Sequence, residues 1–96
     1  MKFFEVSDIG EFNMKKIKFI INPASGRQSM EKKIDSLCKM LLDDGYIVGK
    51  YFTQKKYDAM FEAMHTTKDD FDLIIACGGD GTVNEVVKGI MNSRDK

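Results

Sequence analysis

Apolar residues fall along this chain in two alternating rhythms. Residues 16–22, KIKFIIN, form a β-branched run closed by Pro23, the pattern of a short buried strand. After the turn-rich NPASGR, the residues Met30, Ile34, Leu37, Cys38 and Leu41 recur at helical spacing on one face, and Gly45 is placed to end that helix as a left-handed cap. YIVGKYF, residues 46–52, reads as a second strand that ends at Thr53. QKKYDAMFEAMHTTKDD follows, with Tyr57, Met60, Phe61 and Met64 at helical spacing; this predicts a second amphipathic helix whose methionines fill the core. FDLIIAC, residues 71–77, is a third strand, apolar enough to be covered on both faces. Val83, Val86, Val87 and Ile90 mark a third helix beyond the glycine-rich GGDGT.

Strand and helix alternate three times, which implies parallel pairing with crossover helices. The simplest arrangement is an α/β, three-layer, Rossmann-like parallel sheet of order 2-1-3, with helices on both faces. The order reverses between strands 1 and 3, and ligands bind at such a reversal, beyond the carboxyl ends of the strands. NPASGR follows strand 1 and GGDGT follows strand 3, so the topology sets the two loops side by side. Residues 1–13, MKFFEVSDIGEFN, carry no clear period, and Met14 reads as a fresh start. They are expected to be a leader or an expression-derived extension outside the fold, with residues 14–96 forming the domain. Strand 3 then has no partner on its far side, and that exposed edge offers a route to homo-oligomers.

Composition narrows the partners. The chain has 96 residues, enough for one domain, with 15 Lys plus Arg against 15 Asp plus Glu. A net charge of zero gives no broad reason to expect nucleic acid. Cys38 and Cys77 sit in separate apolar contexts without metal-ligand spacing, as buried free thiols do, and no metal ligands are assigned. No segment approaches the roughly 18 apolar residues that span a bilayer. A cytoplasmic protein is expected, with peripheral membrane contact left open. His65 reads as a surface residue.

The candidate chemistry sits in the two loops. Thr82 lies three residues before Glu85, the spacing of a capping box, and the helix that starts there presents unpaired N–H groups and the positive end of its dipole. Glycines ahead of it leave the backbone bare for a phosphate. Asp80 fits if a divalent cation or a hydroxyl proton is also present. The bland alternative is a tight turn, with glycine chosen for positive φ and Asp80 for a turn hydrogen bond. In the other loop Asn22 can fix the strand exit, Pro23 stiffens it, Ser25 and Gly26 offer a hydroxyl and an open amide, and Arg27 adds a charge. Its bland alternative is a loop with an exposed arginine. There is no GxxxxGK[ST] and no GxGxxG, so neither a P-loop nor the dinucleotide fingerprint is present.

FIINPASGR, then YFT, then DLIIACGGDGTVNEVVKGI, together resemble the catalytic domain of the diacylglycerol kinase family, which includes bacterial lipid kinases and sphingosine and ceramide kinases. The resemblance runs from about Met14 to Met91. GGDGT alone is shared with NAD kinases, whereas NPxSG with GGDGTxNEV is more specific to the lipid-kinase branch. The resemblance implies ATP and Mg2+ as cofactors, a lipid hydroxyl such as that of diacylglycerol as phosphoryl acceptor, and a place in phospholipid biosynthesis. It implies that Asn22, Pro23, Ala24, Ser25 and Gly26 line the ATP site and that Thr53 contacts the nucleotide. It further implies that Gly79, Asp80, Gly81, Thr82, Val83, Asn84 and Glu85 hold the phosphates and approach the magnesium, with Asp80 in the catalytic role. Members of the family continue well beyond the third helix, so the chain is expected to be an N-terminal portion of such a domain and inactive alone. The alternatives are a NAD-kinase-like enzyme and a non-catalytic nucleotide-binding or self-associating fragment.

Overall fold

The computed structural model describes residues 1–6, 16–23, 28–68 and 71–94. The elements run β1 (Lys2–Glu5), β2 (Lys16–Ile21), α1 (Gln28–Asp43), β3 (Ile47–Phe52), α2 (Asp58–Lys68), β4 (Leu73–Cys77) and α3 (Asp80–Arg94). The three strands and three helices expected from the apolar pattern are all present. The strands stand in the order β1-β4-β2-β3. β2 is paired in parallel with β3 on one side and with β4 on the other, so the first predicted strand is flanked by the second and the third.

The sheet is nevertheless four-stranded and mixed, not purely parallel. β1 pairs antiparallel with β4, Lys2 opposite Ala76 and Glu5 opposite Leu73, and Val6 N donates to Asp72 O at 3.0 Å. This corrects two expectations. Residues 2–5 of the supposed leader belong to the sheet, and the far edge of β4 is covered within the chain, so it offers no exposed edge for self-association. The physical reason is apolar burial in alternation: Phe4 and Val6 pack against the core on one face, and β4 supplies the hydrogen bonds. Residues 7–15 lie outside the described residues.

Alternation along the strands divides the core. Ile17, Phe19, Ile21, Ile75 and Cys77 point to one face, where they meet Ile34 and Cys38 of α1. Ile20, Ile74 and Ala76 point to the other face, where they meet Ala59 and Ala63 of α2 and Val86 and Ile90 of α3. Helices therefore cover both faces. Gly45, at φ 94°, ends α1 as predicted: Tyr46 N donates to Leu41 O and Gly45 N to Leu42 O, both at 3.0 Å, the paired bonds of a Schellman cap.

α2 is a helix, but its buried face is not the predicted one. Ala59, Ala63 and Thr66 are buried, while Phe61 is 52% exposed and Tyr57 49%. Close approach of α3 is the reason. A Cβ on Gly89 would run into the carbonyl oxygen of Met60 and would lie 2.8 Å from Cβ of Ala63, so only small side chains fit the crossing. The buried Thr66 hydroxyl donates to Glu62 O at 2.6 Å, which satisfies it within its own helix.

Candidate functional site

Because β2, β3 and β4 are parallel, the segments that follow them leave the same edge of the sheet. Backbone bonds hold those exits together. Asn22 N donates to Cys77 O at 2.8 Å, and Thr53 N donates to Ile21 O at 2.8 Å. The Asn22 side chain then reaches across, its Nδ2 3.4 Å from Oγ1 of Thr82. Asn22 thus links the exit of β2 to the first turn of α3.

A cavity of about 440 Å³ opens at this edge. Asn22 and Pro23 line it from β2, and Thr53, Gln54, Lys55 and Lys56 from the turn after β3. Ala59 adds a wall from α2, and Gly81, Thr82 and Glu85 one from α3. Six residues proposed from the sequence or its resemblance therefore share one cavity: Asn22, Pro23, Thr53, Gly81, Thr82 and Glu85. Gly79 and Asp80 are exposed at the same strand exit and are not among its walls. Val83 packs against the core, and Asn84 is exposed on the first turns of α3. Ala24, Ser25 and Gly26, together with Arg27, lie outside the described residues.

The capping box does not form as predicted. α3 begins at Asp80, and Val83 N donates to Gly79 O at 3.2 Å, so Gly79 is the cap and Thr82 sits inside the first turn. Thr82 is buried, and its hydroxyl is engaged with Asn22 instead of with its own helix end.

The three glycines separate by role. None of them has positive φ; among the described residues that region holds only Gly45 and Tyr57. A Cβ on Gly78 would lie 2.6 Å from Oγ1 of Thr82 and 3.2 Å from Cβ of Asn22, so Gly78 is required for packing. A Cβ on Gly79 or Gly81 would meet nothing within 4 Å. Neither positive φ nor packing demands glycine at those two positions, although Gly79 is also the cap of α3; the missing side chains leave the backbone there open from outside. The bland reading, glycine for a positive φ, does not hold for this loop.

Under this loop the Cys77 thiol is wholly buried, and burial pushes it up to about 11. It stays a neutral thiol within the core on the α1 face of the sheet. Among the described residues, no three His, Cys, Asp or Glu side chains are grouped to hold a metal. Among the described residues, no helix is long and apolar enough to cross a membrane.

Sequence reasoning took Asn22, Pro23 and Gly81 from the residues themselves; it read Thr82 and Glu85 as a capping box, and gave them, like Thr53, a place at the site only through resemblance. It missed Gln54, Lys55, Lys56 and Ala59. The signal was present, because two adjacent lysines follow directly on a parallel strand that shares its exit edge with the glycine loops.

The model of the diacylglycerol kinase catalytic domain matches residues 16–96. A diacylglycerol kinase of Staphylococcus epidermidis is 42% identical over 76 residues, which cover 79% of this chain and 24% of the relative. One from Staphylococcus haemolyticus is 42% identical over 73 residues, covering 76% of this chain and 22% of the relative. One from Staphylococcus aureus is 40% identical over 76 residues, with shares of 79% and 24%. This chain belongs to the diacylglycerol kinase catalytic domain family. It spans about a quarter of the length of the curated relatives it matches. The strand β1 precedes the matched residues.

Proposed function

We propose that the chain is the ATP-binding part of a lipid kinase, which moves the γ-phosphoryl group of ATP to a lipid hydroxyl such as that of diacylglycerol. The observation that carries this reading is the pair Gly79 and Gly81, glycines with neither a positive-φ nor a packing requirement, beside a cavity that joins the exits of all three parallel strands. Their amides offer donors to phosphate oxygens at the positive end of α3. Asn22 and Thr53 hold the nucleotide from the β2 and β3 side, with Ser25 and Gly26. The relatives' shared name, diacylglycerol kinase, supports the lipid as acceptor.

Phosphoryl transfer depends mainly on positioning and charge neutralisation. Mg2+ is bound in such sites by one or two carboxylates together with substrate phosphates, not by a closed protein cage. Asp80 at the first position of α3 and Glu85 on the cavity wall are carboxylates of that kind. When bound, Mg2+ supplies the charge that offsets the phosphates. Asp80 acts there on the metal or on the hydroxyl network. The lipid pocket and the base that accepts the hydroxyl proton are assigned to the remainder of a kinase of the relatives' length, so residues 1–96 alone bind nucleotide without turnover. The protein works in the cytoplasm, at most in peripheral contact with a membrane.

Titration with ATP and Mg2+, followed by NMR at the backbone amides, tests this. Resonances of residues 78–81 are expected to shift at millimolar ATP. Gly79→Ala and Gly81→Ala are each expected to keep the fold, with stability changed by no more than about 1 kcal/mol, and to lose most of that response. Gly78→Ala, in contrast, is expected to disturb the fold. Unmoved amides in the wild-type chain would remove the nucleotide from the proposal.

A further inference from the structure

We infer that Lys55 and Lys56 are the phosphate-selecting wall of the cavity, so that the turn after β3 favours polyphosphate nucleotides over uncharged nucleosides. The inference rests on reading the cavity as a nucleotide site. It adds two positioning residues that neither the sequence motifs nor the family resemblance assigned.

Placement comes first. β3 and β4 flank β2, so the turns that follow them stand on either side of the β2 exit. Gly81, Thr82 and Glu85 reach the cavity from one side, and Lys55 and Lys56 from the other. The α3 side offers backbone amides and a carboxylate. A triphosphate held there by amides alone would face Glu85 with no compensating side chain. Two lysines against one glutamate make the charged lining of the cavity net positive, in a chain whose overall charge is zero. The cation is local, not a product of general basicity.

Next, the turn is held in one shape. Gln54 N donates to Oδ2 of Asp58 at 2.7 Å, and Asp58 N donates back to Lys55 O at 3.2 Å. Tyr57 completes the turn at φ 73°, in the left-handed region that a bulky side chain adopts only when its surroundings impose it. Nζ of Lys56 stands 5.1 Å from the centre of the Tyr57 ring, which limits where that ammonium can go. Strain retained at such a turn is characteristic of a functional position.

Finally, the two ammonium groups are available. The ion pairs Lys18–Glu62 and Lys50–Asp35 engage neither Lys55 nor Lys56. Lys55 and Lys56 are both exposed, so a phosphate can reach Lys55 directly and Lys56 beside the Tyr57 ring without displacing a carboxylate.

The experiment is calorimetric titration of residues 1–96 with ATP, inorganic triphosphate and adenosine, at low and at moderate salt, for wild type and for the double variant Lys55→Gln/Lys56→Gln. Charge-assisted hydrogen bonds of this type correspond to roughly tenfold to hundredfold in affinity. The double variant is therefore expected to bind ATP and triphosphate at least tenfold more weakly, with a shallower salt dependence, while its adenosine affinity and melting temperature match wild type. ATP affinity unchanged in the double variant would overturn the assignment and leave the nucleotide site standing. Wild type that binds adenosine as tightly as ATP would do the same. Wild type that binds neither ATP nor triphosphate would overturn the site and the assignment together.

Discussion

The two faces of the sheet are closed by opposite strategies. On one face a single helix, α1, lays Ile34 and Cys38 over Phe19, Ile21 and Ile75, with Met30, Leu37 and Leu41 at the margin. Large branched side chains do the filling, and the helix stands over the strands at the distance those side chains set. On the other face two helices share the cover. Ala59, Ala63 and Gly89 bring α2 and α3 close to each other, and the bulk comes from the strands and from Val86 and Ile90. A lone helix advertises its buried face by large apolar residues. A helix in a tight pair buries its small ones and can leave a phenylalanine in water.

The largest effect that would break this comparison lies at the crossing. Gly89→Leu cannot be seated without parting α2 from α3, and it is expected to cost about 3 kcal/mol or more, the upper end of overpacking. Urea denaturation would measure it; a loss of less than about 1 kcal/mol would mean that the pair is not closely packed.

A smaller effect separates the faces by pH, since both cysteines belong to the α1 face. Burial, reinforced slightly by Cys38 and opposed by the N-terminal amino group, raises the Cys77 thiol from its ordinary 9.0 to about 11. The folded state holds that proton more tightly than the unfolded state. The resulting stability is complete below pH 9.0 and is lost as the pH rises through about 11. The loss amounts to at most about 3 kcal/mol. The unfolding free energy of wild type is therefore expected to fall more steeply across that window than that of Cys77→Ala. Parallel slopes would show that the thiol is solvated.

The smallest effect is at Phe61. On the amphipathic reading of the sequence it would be a core residue, and its removal would cost about 3–5 kcal/mol. Exposed as it is, Phe61→Ser is expected to change stability by less than about 0.5 kcal/mol in the same assay.

These contrasts also explain which parts of the fold were legible beforehand. β2 and β4 are covered on both faces, so their runs of isoleucine stand out in any window. α1 faces the core alone and shows the full helical spacing, and Gly45 marks its end. The buried face of α2 was misread because its selection depends on a neighbouring helix, a constraint that single-sequence periodicity does not carry. β1 was missed for a different reason. Four residues cannot establish a period of two, and Phe3, 59% exposed, blurs the alternation of Phe4 and Val6. Within the site, Gly81 was visible through its motif, and Glu85 only through the family resemblance. Thr82 was noticed as a cap, although its hydroxyl belongs to a contact with Asn22. Lys55 and Lys56 were passed over because no motif names them; only the shared exit edge of three parallel strands brings them to the cavity.

The pairing of β1 with β4 has a kinetic side. β1 must find a partner far along the chain, with Glu5 opposite Leu73, and closing so long a loop is entropically costly. Until then the edge of β4 remains open to any extended segment. The capping of the strand that carries the glycine loop is thus expected late in folding, and a bulky fusion placed at Met1 is expected to slow that step first.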